Sequence, residues 1–304
     1  MTKPPKDLGA SIQARLRNLA KIRGDDVQLL LTQFVLERLL HRLAASAHAD
    51  QFLLKGAMLF ATWTNVPHRA TRDLDLLGHG HADVERLAAM FRQVAATHVE
   101  PDGVSFDSAS VQAGRIREDQ LYQGVRVTMN ATMATAQIDV QVDIGFGDAV
   151  HPGPVDVQYP SLLGLPTPKL RAYPRETVVA EKFQAMVSLG ELNSRMKDFY
   201  DLHVLAEQFA FEAAALGGAL RATFERRSTD LPESEPIALR DEFAERKDKQ
   251  VQWQAFVRRS RLLAPEVTLA EVVRGLKRFL WPVVCGLRGS IAMPRTWRAR
   301  GPWA

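Results

Sequence analysis

The stretch Arg69-Ala70-Thr71-Arg72-Asp73-Leu74-Asp75-Leu76-Leu77 carries two carboxylates two positions apart in an apolar run. Side chains two residues apart on a β-strand point to the same face, so Asp73 and Asp75 share one face while Leu74 and Leu76 point into a core. Two acids fixed side by side repel each other unless a cation lies between them, and the usual cation is a divalent metal ion. The stretch therefore predicts a strand that carries metal ligands, although the same pattern also occurs at ordinary polar strand edges.

A short apolar run precedes this strand and is interrupted by a glycine. It reads Phe52-Leu53-Leu54-Lys55-Gly56-Ala57-Met58-Leu59-Phe60, and residues compatible with a helix continue to about Trp63. Glycine allows backbone turns that other residues resist. The run therefore predicts a strand, a turn at Gly56 and a helix.

An alternating segment follows over residues 137–146. Its apolar face comprises Ile138, Val140, Val142, Ile144 and Phe146, and its polar face comprises Asp139, Gln141 and Asp143. This alternation predicts a strand with one buried face. Asp143 is the third candidate metal ligand, and its carboxylate can also accept a proton from a hydroxyl group. The alternatives are a solvated strand face, or Asp139 in its place if the register differs by one pair; Asp148 is expected to cap a turn.

These elements resemble the nucleotidyltransferase core of DNA polymerase β-like enzymes. Five segments in order are similar to the AbiEii/AbiGii family, the nucleotidyltransferase toxins of bacterial abortive-infection and type IV toxin–antitoxin systems. They are Lys55-Gly56-Ala57, Arg69-x-Thr71-Arg72-Asp73-Leu74-Asp75, Ile144-Gly145-Phe146-Gly147-Asp148, Ala180-Glu181-Lys182-Phe183-Gln184-Ala185-Met186 and Arg195-Met196-Lys197-Asp198-Phe199-Tyr200-Asp201-Leu202. The ordered set extends over about residues 50–205 and is far more specific than any single motif.

The resemblance implies a mixed α+β fold, with a polymerase β-like nucleotidyltransferase core sheet, flanking helices and a C-terminal helical lobe. It also implies that Asp73, Asp75 and Asp143 hold two Mg²⁺ (or Mn²⁺) ions. Such ions neutralise the charge that develops when an acceptor attacks the α-phosphorus of a nucleoside triphosphate (NTP).

The same resemblance assigns nucleotide contacts to Lys55, Gly56, Ala57 and Arg69. Many polymerase β-like enzymes have serine where this chain has Ala57. Without that hydroxyl, phosphate contact at the turn would rest on backbone N–H groups. Arg69 and Arg72 flank the metal strand, and either contact a phosphate or neutralise the carboxylates when no metal is bound.

Two more residues are implicated further along the chain. By itself, a helical lysine such as Lys182 is expected on a solvated surface, but the resemblance implies that it meets the triphosphate as pyrophosphate leaves. Asp198 matches the acid of a late family motif and is expected to orient Lys182 or the nucleotide. Asp201 shares its helical face and is expected at most to bond across helix packing. The ordinary alternative for these acids is a local salt bridge with Lys197 or Arg195.

Composition narrows the class of protein. The 304 residues include a single cysteine, Cys285, which excludes an intramolecular disulfide and a cysteine-based zinc site. No uncharged apolar stretch reaches the roughly 18 residues of a membrane span, and the N-terminus lacks the apolar region of a signal peptide. We therefore expect a cytoplasmic protein. The net charge of +4 and pI near 9.3 permit a phosphate-bearing partner without requiring one.

Prolines predict where the chain divides. Six of the 16 prolines fall between residues 152 and 174, which predicts a connecting segment there. We therefore expect a nucleotidyltransferase lobe over residues 1–160 and a helical lobe over residues 161–304. Helices are predicted within 10–48 and 82–96, then over 176–189, from an Asn193 or Ser194 cap to 209, and over 239–261 and 268–281.

Three functional hypotheses follow. The first is a toxin-like nucleotidyltransferase that transfers a nucleoside monophosphate to the 3′ end of tRNA or to a protein side chain, with a cognate antitoxin protein as partner. The second is a non-catalytic nucleotide or RNA binder of the same fold, which Ala57 mildly favours. The third is a nucleotidyltransferase that modifies a small, antibiotic-type molecule.

Overall fold

The computed structural model describes residues 7–64, 69, 71–116, 124–260, 262 and 266–304. It separates into two compact units: the first unit comprises Met1–Gly147 and Val155–Ala172, and the second unit comprises Asp148–Pro154 and Tyr173–Ala304. Residues 161–172 thus belong with the first unit, whereas the sequence-based lobes divide the chain at residue 160. The predicted α+β class is confirmed, since the first unit contains a sheet and the second is mainly helical.

Two long helices open the first unit, as predicted. They are α1 (Leu8–Arg23) and α2 (Val27–Ala45). Asp7 and Asp26 cap them by accepting hydrogen bonds from backbone N–H groups of the first turn. Gly24, with φ of 70°, ends α1 in the left-handed conformation that glycine adopts most easily.

The core of the first unit is a seven-stranded mixed sheet. Its strands are β1 (Phe52–Lys55), β2 (Asp73–Gly78), β3 (Ser105–Ile116), β4 (Gly124–Met133), β5 (Ala136–Phe146), β6 (Val155–Gln158) and β7 (Lys169–Ala172), in the order β3-β4-β5-β2-β1-β7-β6. The pairs β2–β5 and β1–β7 are parallel, and the other neighbours are antiparallel.

Helices cover the apolar side of this sheet. After β1 the chain passes through a 3₁₀ turn (Ala57–Phe60) into α3 (Ala61–Thr64), and α4 (Val84–Ala96) follows β2. Helix α2 contacts β5 and β7, and α4 contacts β3 and β4. Leu74 and Leu76 of β2 are fully buried and alternate with the half-buried Asp73 and Asp75, as the pattern predicts.

The proline-bearing segment is more ordered than the sequence predicted. The prolines predict only a connection between two lobes, but the segment contributes β6 and β7 to one edge of the sheet. The prolines lie outside these strands: Pro154 and Pro160 flank β6, and Pro168 and Pro174 flank β7. Proline therefore limits the length of each strand without removing a hydrogen bond from it.

The second unit contains α5 (Arg175–Leu189), α6 (Met196–Gln208), α7 (Ala213–Arg226), α8 (Asp241–Glu245), α9 (Lys247–Ser260) and α10 (Leu269–Leu287). Helix α7 was not predicted. The helix predicted over 239–261 is interrupted at Arg246, whose backbone is extended, and residue 261 lies outside the described residues. Helix α6 begins after Arg195 rather than after Asn193 or Ser194.

The tail folds against the helices of the second unit. A short strand β8 (Phe211–Glu212) pairs with β9 (Thr296–Trp297). The indole of Trp297 donates to the Ala206 carbonyl, and that of Trp303 donates to the Phe279 carbonyl. In the parts of the chain described, we find no helix with both the length and the apolar character needed to cross a membrane.

Candidate active site

Three carboxylates meet at the centre of the sheet. Strands β2 and β5 are parallel, and their register sets Asp75 opposite Asp143 and Asp73 opposite Gln141. One carboxylate oxygen from each of Asp73, Asp75 and Asp143 lies within 4.8 Å of the others. Asp139 instead pairs with Asn130 on β4 and is outside this cluster. The register therefore brings together the three predicted acids, which we call the carboxylate triad.

Charged residues continue across the sheet on either side of the triad. Lys55 pairs with Asp75, Asp75 with Asp143, and Asp143 with Arg126, on the adjacent strands β1, β2, β5 and β4. Directly paired residues project from the same face of a sheet. Lys55, Asp75, Asp143 and Arg126 thus form a charge row in which two cations enclose two anions.

Arg126 binds Asp143 in a bidentate ion pair. Its Nε donates to Oδ1 and its terminal NH2 group donates to Oδ2, both at 2.8 Å. The side chain of Arg126 is 46% exposed and that of Asp143 is 19% exposed. Gln141 also donates to Asp143 Oδ2 at 3.3 Å. Both oxygens of the third triad member are therefore engaged within the protein.

The glycine turn lies directly against the second triad member. Gly56 has φ of 74°, and a Cβ built on it would lie 2.0 Å from Asp75 Oδ2. Glycine is required here both for its conformation and for its lack of a side chain. The predicted strand–turn–helix is confirmed, and the turn is in contact with the triad.

The structure also describes the other predicted nucleotide contacts of the first unit. Ala57 is buried at the start of the 3₁₀ turn, Lys55 is half-buried at the end of β1, and Arg69 is half-buried in the loop before β2. In the same loop, the Thr71 hydroxyl donates to Asp73 Oδ1. Ala57 and Thr71 also line a small cleft of about 50 Å³.

The triad suits a hard divalent cation. Mg²⁺ and Mn²⁺ prefer oxygen ligands, and carboxylates are the usual protein source of them. Among the described residues, this is the one cluster of three or more His, Cys, Asp or Glu side chains close enough to share an ion. The donor set therefore fits the Mg²⁺ or Mn²⁺ that the family resemblance implies.

In the second unit, Lys182 on α5 is held by two acids of α6. Its Nζ lies 2.6 Å from Asp198 Oδ1 and 2.7 Å from Asp201 Oδ2, and Arg195 Nε lies 2.6 Å from Asp198 Oδ2. Asp198 and Asp201 are essentially buried, and Lys182 is 14% exposed. Lys182 is therefore not a solvated surface lysine, and Asp201 binds it as closely as Asp198 does.

Nearby positive charges favour the ionised form of Asp198. Burial alone would raise the pKa of Asp198, but the positive charges of Lys182 and Arg195 outweigh that effect and lower the pKa below its ordinary value. Two cations and two anions balance here, which is the condition under which ions are tolerated in an interior.

Comparison with known proteins agrees with this geometry. The sequence model of the AbiEii family, described as a nucleotidyl transferase toxin of a type IV toxin–antitoxin system, matches residues 38–280. The chain belongs to this family.

Two solved structures are similar in fold to this AbiEii chain. A candidate nucleotidyltransferase from H. pylori has a TM-score of 0.50 at 16% identity, over 87% of this chain and 98% of that chain. The protein JHP933 from Helicobacter pylori has a TM-score of 0.51 at 15% identity, over 86% of this chain and 94% of that chain. No match to a curated protein was found.

Two polar contacts of this AbiEii chain were not indicated by the sequence. Asp148, which is expected to cap a turn, also accepts a hydrogen bond at Oδ1 from Arg227 at 3.1 Å within the second unit. Arg227 also donates to Gln184 and pairs with Glu181. Arg126 gave only a weak signal, as a polar residue in an alternating strand, and its role becomes visible only through the β4–β5 register.

Proposed function

We propose that this chain is a metal-dependent enzyme that transfers a nucleoside monophosphate from an NTP to a hydroxyl of tRNA or of a protein. The observation that supports this most directly is the carboxylate triad in contact with the Gly56 turn, in a member of a nucleotidyltransferase toxin family. A toxin with such an acceptor acts in the cytoplasm, and a cognate antitoxin protein would restrain it.

The metal ligands in this proposal are Asp73, Asp75 and Asp143. When bound, Mg²⁺ or Mn²⁺ supplies Lewis-acid neutralisation of the phosphate oxygens at the reacting phosphorus. Register fixes the three acids on two parallel strands, and Thr71 orients Asp73 by hydrogen bonding to it. The protein thus orients the ligands before any ion arrives, which lowers the cost of binding.

Two parts of the chain are assigned nucleotide contacts, the Gly56–Ala57 turn and Lys182, as the family resemblance implies. At the Gly56–Ala57 turn, backbone N–H groups take the place of the absent serine hydroxyl in approaching a phosphate. Lys182 is assigned to the β- and γ-phosphates, where an ammonium neutralises the charge of the leaving pyrophosphate. Asp198 and Asp201 hold that ammonium in one position, as their contact distances indicate.

The test is a transfer assay with each α-³²P-labelled NTP, Mg²⁺ and total bacterial RNA. We expect label in a tRNA-sized band or in the protein itself, and its loss in Asp73→Asn/Asp75→Asn. Asp139→Asn is the matched control, because Asp139 is an exposed acid of the same sheet face outside the triad.

Other outcomes separate the alternatives. Label on an aminocyclitol but not on RNA or protein would support the small-molecule enzyme. Metal-dependent NTP binding with no transfer to any acceptor would support the non-catalytic binder and contradict the proposal.

A further inference from the structure

One cation of the charge row has no role in the proposed reaction. Arg126 occupies both oxygens of Asp143, which the proposed function needs as a metal ligand. A guanidinium and a metal ion that share one carboxylate repel each other at short range. Arg126 and the metal ion therefore compete for Asp143.

The positions of the two side chains indicate that Arg126, and not Asp143, moves when their ion pair breaks. Asp143 is fixed in the middle of the sheet between β2 and β4, whereas the side chain of Arg126 is 46% exposed. An ion pair with so much solvent access is worth little, so its rupture costs little. Arg126 can thus leave Asp143 without any change in the strands.

The charge and shape of the Arg126 guanidinium indicate a phosphate group as its alternative partner. A guanidinium binds phosphate oxygens through the same two-pronged geometry that it uses with a carboxylate. Because Arg126 projects from the same face of the sheet as the triad, it remains beside the reacting groups after it leaves Asp143.

We propose that Arg126 is an exchangeable counter-cation: it neutralises Asp143 in the metal-free protein and transfers to a phosphate of the NTP when the metal ion binds. This rests on the proposed function, since it takes the triad as the metal site and an NTP as the substrate. The consequence is that metal and nucleotide bind cooperatively, because each removes Arg126 from Asp143.

The test measures binding, not turnover, by calorimetric titration of Mn²⁺ with and without a non-hydrolysable NTP analogue. In Arg126→Gln we expect Mn²⁺ alone to bind about three- to fivefold more tightly, the range that an exposed ion pair allows. We also expect that the analogue tightens Mn²⁺ binding less in this variant than in the wild type, because the contribution of Arg126 is lost. Arg126→Lys keeps the positive charge but loses the two-pronged guanidinium. Its affinity for Mn²⁺ should therefore lie between those of the wild type and Arg126→Gln.

The control is Arg115→Gln, which removes an exposed arginine from the neighbouring strand β3, opposite Val125. It should bind Mn²⁺ as the wild type does. Unchanged or weaker Mn²⁺ binding in Arg126→Gln, or an undiminished effect of the analogue, would overturn the proposal. Failure of the wild type itself to bind Mn²⁺ would instead contradict the proposed function, so the two failures are distinguishable.

Discussion

At the scale of single residues, Gly56 links the backbone turn to the triad. Its positive φ is unfavourable for any other residue, and the space that a Cβ needs is filled by the Asp75 carboxylate. The position therefore combines two independent requirements, one on conformation and one on volume. Either alone would select glycine, and the second one ties that glycine to the chemistry of the site.

We expect Gly56→Ala to lower the free energy of unfolding by about 1–3 kcal/mol through backbone strain. It should also abolish Mn²⁺ binding, because Asp75 must move. Urea unfolding and Mn²⁺ titration measure the two effects. Gly114→Ala is the matched control, since a Cβ at Gly114 meets open space in β3. Mn²⁺ binding retained by Gly56→Ala would show that the close contact does not position Asp75.

At the scale of elements, α5 and α6 are joined by the buried ion cluster around Lys182. The pKa of Asp198 lies below its ordinary value in the folded protein and returns to that value on unfolding. Its contribution to stability is therefore fully present above about pH 4 and is lost as the pH falls through the lowered folded-state pKa. Acid should thus weaken the link between these helices.

We accordingly expect the melting temperature of the wild type to fall as the pH is lowered from 5 to 3. The melting temperature should fall less steeply with pH in Asp198→Asn, because the asparagine cannot take up a proton at this position. Calorimetric melting at intervals of pH tests this prediction. Asp156→Asn, which changes an exposed acid of β6, is the control and should retain the wild-type slope. Equal slopes in Asp198→Asn and the wild type would refute the assignment.

Some helices and strands could be predicted from sequence patterns alone, and others could not. Strands β2 and β5 and helices α1, α2, α4 and α5 were predictable because a buried face repeats at a fixed period. Helix α7 was missed because Gly217 and Gly218 lower helix propensity. In the structure a Cβ on Gly218 would collide with His151, so close packing selects a residue that local propensity disfavours.

At the scale of the whole molecule, the sequence indicates which acidic residues are candidates for the site. It does not indicate which of them lie opposite one another on neighbouring strands. Asp143 could be proposed from the alternation of its own strand, but the choice over Asp139 depends on the β2–β5 register. Arg126 depends on the β4–β5 register as well. Register is set by contacts between distant segments, which a single sequence does not display.

The proposed function gives different roles to the triad and to Lys182, and this difference can be tested. Asp73→Asn should abolish both Mn²⁺ binding and transfer, since it removes a triad ligand. Lys182→Met should lower the transfer rate by about 100-fold or more, the effect of losing a group that stabilises charge in the transition state. It should leave Mn²⁺ binding unchanged, because Lys182 is not one of the three proposed metal ligands.

A lower transfer rate in Lys182→Met could come from a less stable protein or from a lost phosphate contact, so the two causes must be distinguished. Lys182→Met leaves Asp198 and Asp201 with less positive charge in a buried site, which is costly by itself. Lys182→Met/Asp201→Asn removes one of those charges and should regain stability in urea unfolding without regaining transfer. If the double variant recovers transfer along with stability, Lys182 acts only in folding and its assignment to the triphosphate is wrong.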